Sequence, residues 1–179
     1  MALEKVNSPK DLKNLKREEL VELAADIRKA LLNRLTNYPK GGHVGPNFGV
    51  VEMTIALHYV FNSPIDKIVF DVSHQAYPHK ILTGRKDGFL YEDKFKTVNG
   101  YTDQDESEHD FFRVGHTSTS VSLATGLAKA RDLRGAKENI IALIGDGSLS
   151  GGLAYEGLSN AAEQGGNLII IANDNDQSI

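Results

Sequence analysis

Two short polar clusters in the last quarter of the chain carry its most specific chemistry. Gly145-Asp146-Gly147-Ser148 follows the apolar run 140–144, and Asn173-Asp174-Asn175 follows the apolar run 168–172. A carboxylate and a carboxamide therefore stand at the ends of two segments that read as neighbouring strands. Both are hard oxygen donors of the kind Mg²⁺ or Ca²⁺ takes. From Gly145 to Ile179 there is no Lys and no Arg, so a phosphate held here needs a metal for its positive charge. Gly145 and Gly147 let backbone come close to such a phosphate, and the helix expected after Ser148 offers free N–H groups. A helix terminus contributes only about 0.3–1 kcal/mol per charge at an exposed site, too little for a multiply charged diphosphate. Asp146, Asn175, the diphosphate oxygens and a backbone carbonyl near Gln177 together approach six-coordination. Either motif alone reads as a turn after a strand. Both at matching strand ends, one helix apart, favour the metal site. A P-loop is excluded because no Gly-Lys-Ser/Thr is present, and the third glycine of a dinucleotide fingerprint is misplaced.

Histidines form the second signal. His43, His74 and His116 lie in loops rich in glycine or small residues, and imidazole is the side chain suited to moving protons near neutral pH. Each alone reads as a surface or structural histidine. Three beside strand ends or helix starts favour a shared site. His58, in an apolar helix, His79, and His109, in an acidic run, read as structural. The third signal is Gly115-His116-Thr117-Ser118-Thr119-Ser120, an N-cap cluster whose hydroxyls and N–H groups could also face a phosphate.

The elements that position these residues follow from periodicity and punctuation. Ser8-Pro9 opens a short helix to about Leu12. Leu20, Leu23, Ile27, Leu31 and Leu35 place an amphipathic helix over about 17–35. A glycine-rich loop over 41–49 leads into an apolar helix over 50–61, and 68–70 is a buried strand. The polar stretch from about Gly84 to Arg113 reads as a long excursion with one short helix, of the kind that is functional or mobile. A helix over 121–133, a strand over 139–144, a helix over 149–164 and a strand over 168–172 complete a βαβ unit. Its strands are apolar throughout, which suits a parallel sheet covered on both faces. The fold class is α/β, a parallel sheet flanked by helices.

Bulk properties agree. The 179 residues suffice for one domain with a real core. A net charge of −4 without a basic run argues against nucleic acid as a partner. The absence of Cys excludes disulfides and thiolate metal sites and fits a reducing compartment. No apolar run is long enough to span a membrane, so a cytoplasmic location is expected.

Together these residues resemble the thiamine diphosphate enzymes, whose metal motif is Gly-Asp-Gly followed some 25–30 residues later by Asn. More narrowly, the chain resembles the N-terminal part of the 1-deoxy-D-xylulose-5-phosphate synthase family. The match is carried by Gly41-Gly42-His43-Val44-Gly45-Pro46-Asn47, by the specific run Asp71-Val72-Ser73-His74-Gln75-Ala76-Tyr77-Pro78-His79-Lys80, by Glu106-Ser107-Glu108-His109-Asp110, by 115–120, and by the Gly-Asp-Gly to Asn-Asp-Asn segment. The resemblance implies a transferase that decarboxylates pyruvate and joins its two-carbon unit to glyceraldehyde 3-phosphate, at the head of isoprenoid and thiamine biosynthesis. It implies thiamine diphosphate and Mg²⁺ as cofactors and a homodimer as the assembly. Carried over residue by residue, Asp146, Asn175 and the carbonyl of Gln177 bind the metal. His74, Gly115, His116, Thr117, Gly147, Ser148 and Asn175 contact the cofactor, and His43 and His74 are the catalytic candidates.

The chain departs from the family pattern at Ser148, where Ala is usual, at Tyr38-Pro39-Lys40, where Ser-Lys-Thr is usual, and at 100–105, which lacks the usual Arg. Residues 1–179 are expected to form an incomplete diphosphate-binding domain, with an N-terminal helical segment over about 8–36. Pyrimidine-binding and C-terminal domains are expected in the remainder of the same polypeptide, so that this chain alone should not turn over. A split transketolase and a degenerate, non-catalytic domain are the competing readings. The first is disfavoured by Gly151-Gly152 and by the His-Gln-Ala-Tyr-Pro-His run, the second by the presence of Asp146 and Asn175.

Overall fold

The computed structural model describes residues 1–174. In chain order its elements are α1 (Pro9–Leu12), α2 (Arg17–Asn37), α3 (Val44–Gly49), α4 (Val51–Val60), β1 (Lys67–Phe70), α5 (Tyr77–Lys80), α6 (Asp87–Leu90), α7 (Ser120–Leu133), β2 (Ile140–Gly145), α8 (Gly152–Gln164) and β3 (Ile169–Asn173). The described residues divide into two compact units, one of residues 1–62 and 74–100, the other of residues 63–73 and 101–174.

The first unit is helical. At α1, the Asp11 carboxylate accepts the Asn7 and Ser8 N–H groups, each at 2.8 Å, as a capping box requires. The apolar stripe of α2 buries Leu23, Ile27 and Leu31 against Leu3, Val6, Leu12, Val51, Ile55, Tyr77, Ile81 and Phe89. Arg28 on the polar side of α2 forms a bidentate pair with Glu52 of α4, at 2.6 and 2.7 Å. The glycine-rich 41–49 segment is only partly the expected loop, since Val44–Gly49 is helical. Asn47 stabilises that turn by donating to His43 O at 2.7 Å. The excursion after Gly84 is also more ordered than its polarity suggests. It holds α6 and a 3₁₀ turn, Glu92–Thr97, which bury Phe89 and Phe95.

The second unit carries the sheet. Its order is β1-β2-β3, all parallel, with Lys67 opposite Ile140, Phe70 opposite Leu143 and Gly145 opposite Asn173. Parallel neighbours need crossovers, and α7 and α8 provide them, packed on Val69, Ala142 and Ile144 through Val121, Ala124, Ala128 and Ala154. Every residue from Ile140 to Ile144 is buried, as expected for a strand shielded on both faces, while β3 is half-buried. The helix expected from Leu149 begins at Gly152. Gly147–Ser150 is instead a 3₁₀ turn, which presents the Gly-Asp-Gly backbone at the strand end. Among the described residues, no helix is long and apolar enough to cross a membrane.

Candidate cofactor and active site

In open parallel sheets, ligands sit beyond the C-terminal strand ends. In the second unit three polar segments meet there. β2 ends at Gly145, and the Asp146 N–H donates to Asn173 O at 3.1 Å, so the expected juxtaposition of the Gly-Asp-Gly and Asn-Asp ends is observed. Asp146 is half-buried, and its carboxylate makes no hydrogen bond or ion pair with any described residue. Gly147 and Ser148 follow, also half-buried. Ser118 Oγ donates to Ser148 O at 2.7 Å and ties the Gly-His-Thr-Ser turn to the Gly-Asp-Gly-Ser turn. A Cβ at Gly151 would run into the Ser118 side chain, so glycine is needed for that approach. Gly115, His116 and Thr117 are exposed beside it, with His116 Nδ1 bonded to Thr117 O at 3.0 Å.

The organiser of this corner is Asp71, at the end of β1, which sequence reasoning passed over. Its buried carboxylate accepts the Ser118 and Ser120 N–H groups, each at 2.8 Å. The 115–120 cluster does lead into α7 as an N-cap segment, but no side-chain cap bond forms within it, and Asp71 supplies the acceptor. The physical reason is burial. A carboxylate carries its own charge to the positive helix end and accepts two N–H groups at once. The available signal was Asp directly after an apolar strand, the pattern that also marks Asp146. The backbone is strained here, with φ of 56° at Val72, 68° at Ser73 and 68° at Ser118. A positive φ is unusual for any side chain and more so for a β-branched one. Ser73 is locked by donating to Val114 O at 3.0 Å and accepting the Thr102 N–H at 2.9 Å.

In the first unit His43 and His74 come together. Their rings meet edge to face, with centroids 5.2 Å apart, His43 exposed and His74 half-buried. Asn47, fully buried, holds both. It donates Nδ2 hydrogens to His43 O at 2.7 Å and His74 O at 2.8 Å, and its Oδ1 accepts the Tyr77 N–H at 2.9 Å. Asn47 is the second residue that sequence reasoning missed, because its partners lie up to 30 positions away. His58 and His79 are structural, as expected: both are fully buried and bond ring to ring at 2.9 Å. His109 bonds Ser63 Oγ at 2.8 Å. His116 belongs to the second unit.

The donor set fits a divalent cation and a diphosphate. The fit rests on the uncommitted Asp146 carboxylate at a strand end, the side-chain-free Gly147 and the absence of Lys and Arg from Gly145 onward. Asn175 and Gln177, expected as the other ligands, lie outside the described residues. No group of three His, Cys, Asp or Glu among the described residues could hold a metal.

The chain is similar to known proteins. Residues 3–179 match the family model described as 1-deoxy-D-xylulose-5-phosphate synthase. Proteins of that name from Shouchella clausii (strain KSM-K16) and Dictyoglomus thermophilum (strain ATCC 35947 / DSM 3960 / H-6-12) are each 51% identical to this chain over all its 179 residues. The chain spans 28% of the first relative's length and 29% of the second's. Among solved structures, transketolase from Leishmania mexicana superposes with a TM-score of 0.66 at 20% identity, over 89% of this chain and 28% of that one, a likeness of fold. With the glycine-rich, histidine-bearing loops and the strand-end carboxylate in place, and a family model matching almost every residue, this chain belongs to the 1-deoxy-D-xylulose-5-phosphate synthase family.

Proposed function

We propose that the chain is the diphosphate-binding part of a Mg²⁺- and thiamine diphosphate-dependent transferase. The enzyme joins the two-carbon unit left by pyruvate decarboxylation to glyceraldehyde 3-phosphate, giving 1-deoxy-D-xylulose 5-phosphate for isoprenoid and thiamine synthesis. Beyond family membership, one observation carries this reading: Asp146 holds a carboxylate uncommitted to any described residue beside a turn free of cationic side chains.

Thiamine diphosphate, when bound, supplies a nucleophilic carbon and an electron sink. The residues of this chain bind and orient it. Asp146 gives one oxygen ligand to Mg²⁺, and Asn175 and the Gln177 carbonyl give others. Backbone at Gly147 and Ser148, with Gly115, His116 and Thr117, takes the diphosphate oxygens, and Asp71 holds the second of these turns through Ser118 and Ser120. His43, whose exposed ring lies against that of His74 and whose backbone carbonyl is held by Asn47, is the proposed proton shuttle or donor near the reacting carbon. A cytoplasmic homodimer, built with the remainder of the polypeptide, belongs to the same reading.

The test is Asp146→Ala in the full-length protein that carries this chain. Calorimetric titration with thiamine diphosphate in Mg²⁺ should show affinity lower by at least about tenfold, the loss of one charged ligand. Consumption of pyruvate with glyceraldehyde 3-phosphate should fall with it. Unchanged Mg²⁺-dependent affinity and turnover would overturn the ligand assignment, and a preference for another aldehyde would overturn the acceptor.

A further inference from the structure

The last residues of the first unit hold a reactive dipeptide to which the reaction above assigns no part. Asn99-Gly100 is the one place in the chain where Asn is followed by Gly. Both residues are exposed and lie past the 3₁₀ turn Glu92–Thr97, outside any helix or strand. The Gly100 N–H donates to no described residue, so its nitrogen is open to the side chain before it. Without a Cβ, Gly100 leaves that approach unhindered. Other exposed asparagines lack this arrangement. After Asn7, the Ser8 N–H is held by the Asp11 carboxylate at 2.8 Å. Asn160 lies within α8, and its amide donates to Glu156 O at 2.9 Å.

Three cations share the concavity with Asn99. Arg34, on the last turn of α2, is 1% exposed. Its guanidinium donates to Gly88 O at 2.5 Å, Phe95 O at 2.6 Å and Val98 O at 2.8 Å. It lies 5.0 Å from the ring centroids of Tyr38 and Phe89, and no described carboxylate pairs with it. Arg34, Lys40, Lys96, Asn99 and Gly100 line one concavity in which no residue is acidic. Cations without anions give such a rim a positive potential. That potential favours the anionic form of a group within it. Here the anions are the deprotonated Gly100 nitrogen and the oxyanion formed when it adds to the Asn99 amide carbon.

We propose that Asn99 is a site of spontaneous covalent modification, converted to a carboxylate through a cyclic imide with Gly100. The Gly100 nitrogen gives its proton to hydroxide and bonds to Asn99 Cγ. The Cγ–Nδ2 bond breaks, and the nitrogen leaves as ammonia after taking a proton from water, which restores the hydroxide. A second water adds to one of the two imide carbonyls, and the C–N bond at that carbon breaks. Opening at Cγ gives Asp. Opening at the backbone carbonyl carbon gives isoaspartate, with the chain running through the side-chain carbon. The net change consumes one water and releases one ammonia. Either product puts a carboxylate among Lys40, Lys96 and Arg34, where the unmodified rim has none.

The experiment follows the full-length protein, without cofactor or substrate, at neutral and at mildly alkaline pH. Mass spectrometry of the peptide carrying Asn99 reads the conversion, and labelling by isoaspartyl methyltransferase counts the isoaspartate. The readout is chemical, so it is independent of the proposed reaction. Asn99 should convert at least about tenfold faster than Asn7 and Asn160, and faster at the higher pH, where more of the amide nitrogen is ionised. Gly100→Ala should slow conversion by about tenfold or more, because a side chain obstructs ring closure. The added Cβ would meet only Tyr77 Oη, at 3.8 Å, so this variant keeps the fold. Lys40→Gln/Lys96→Gln should slow conversion by about threefold or more, half a unit of amide acidity. The control Lys10→Gln/Lys129→Gln, at exposed positions elsewhere, should leave it unchanged. Conversion no faster than at Asn7 and Asn160, or undiminished in Gly100→Ala, would overturn the site. Equal rates in the two double-lysine variants would overturn the part given to the cations.

Discussion

Asp71 and Asn47 show how single polar side chains hold the loops that chemistry needs. Each is buried and bonded to backbone groups distant in sequence, Asn47 to His74 and Tyr77 and Asp71 to Ser118 and Ser120. Removing such an acceptor strands the donors it served, at about 1–3 kcal/mol each. Asp71→Ala, which leaves the buried Ser118 and Ser120 N–H groups without their acceptor, should therefore lower unfolding stability by about 2–5 kcal/mol. Asp71→Asn should cost less, since one acceptor oxygen remains. Urea denaturation checks both. Equal stability of Asp71→Ala and wild type would remove Asp71 from its place as organiser of the 115–120 turn.

At the scale of elements, α7 and α8 approach closely enough that glycine decides the packing. A Cβ at Gly157 of α8 would lie 2.8 Å from Ser122 Oγ and 2.9 Å from Ser122 N, while one at Gly126 of α7 meets nothing within 4 Å. Alanine favours a helix over glycine by about 1 kcal/mol at both positions. Gly126→Ala should accordingly stabilise by up to about 1 kcal/mol. Gly157→Ala should destabilise by about 1–3 kcal/mol because overpacking against backbone outweighs propensity. The two variants should move the urea midpoint in opposite directions, and a shared sign would refute the packing argument. These helices, and the strands they cross, were legible in the sequence because apolar spacing encodes burial directly. The α3 turn and the ordered excursion around Phe95 were not. They depend on side chains such as Asn47 and Arg34 meeting backbone carbonyls up to 64 residues away.

For the molecule as a whole, charge sets the response to acid. The Asn7 N–H holds Asp11 below the usual carboxylate range, with Ser8 adding to it. Glu52 is lowered chiefly by hydrogen bonding from Arg28, Glu19 by the Lys16 N–H, and Glu138 by its own N–H and then Lys67. Each folded-state value lies below the unfolded one of about 4. The stability they contribute is therefore fully present above about pH 4–5 and lost as pH falls through the folded values. The raised Lys5, Lys94, Arg28 and Arg113 weaken the fold only at strongly alkaline pH. The urea midpoint should hold from pH 7 down to about 5 and then drop toward pH 3. Asp11→Asn should shrink that drop, and an unaltered drop would show that its cap is not among the responsible groups.

The α/β class, the βαβ unit, the strand-end Asp146 and the family resemblance are legible in the sequence, because they depend on local periodicity and on residue types at short spacing. The sequence also singled out His43 and His74 without showing that they touch. That meeting, the capping of α7 by Asp71, the bracing of His43 and His74 by Asn47, and the cage around Arg34 emerge in the folded chain alone. The physical reason is the same in each case. A buried polar group must find its partner wherever the fold brings one, and those partners stand tens of residues apart in the chain.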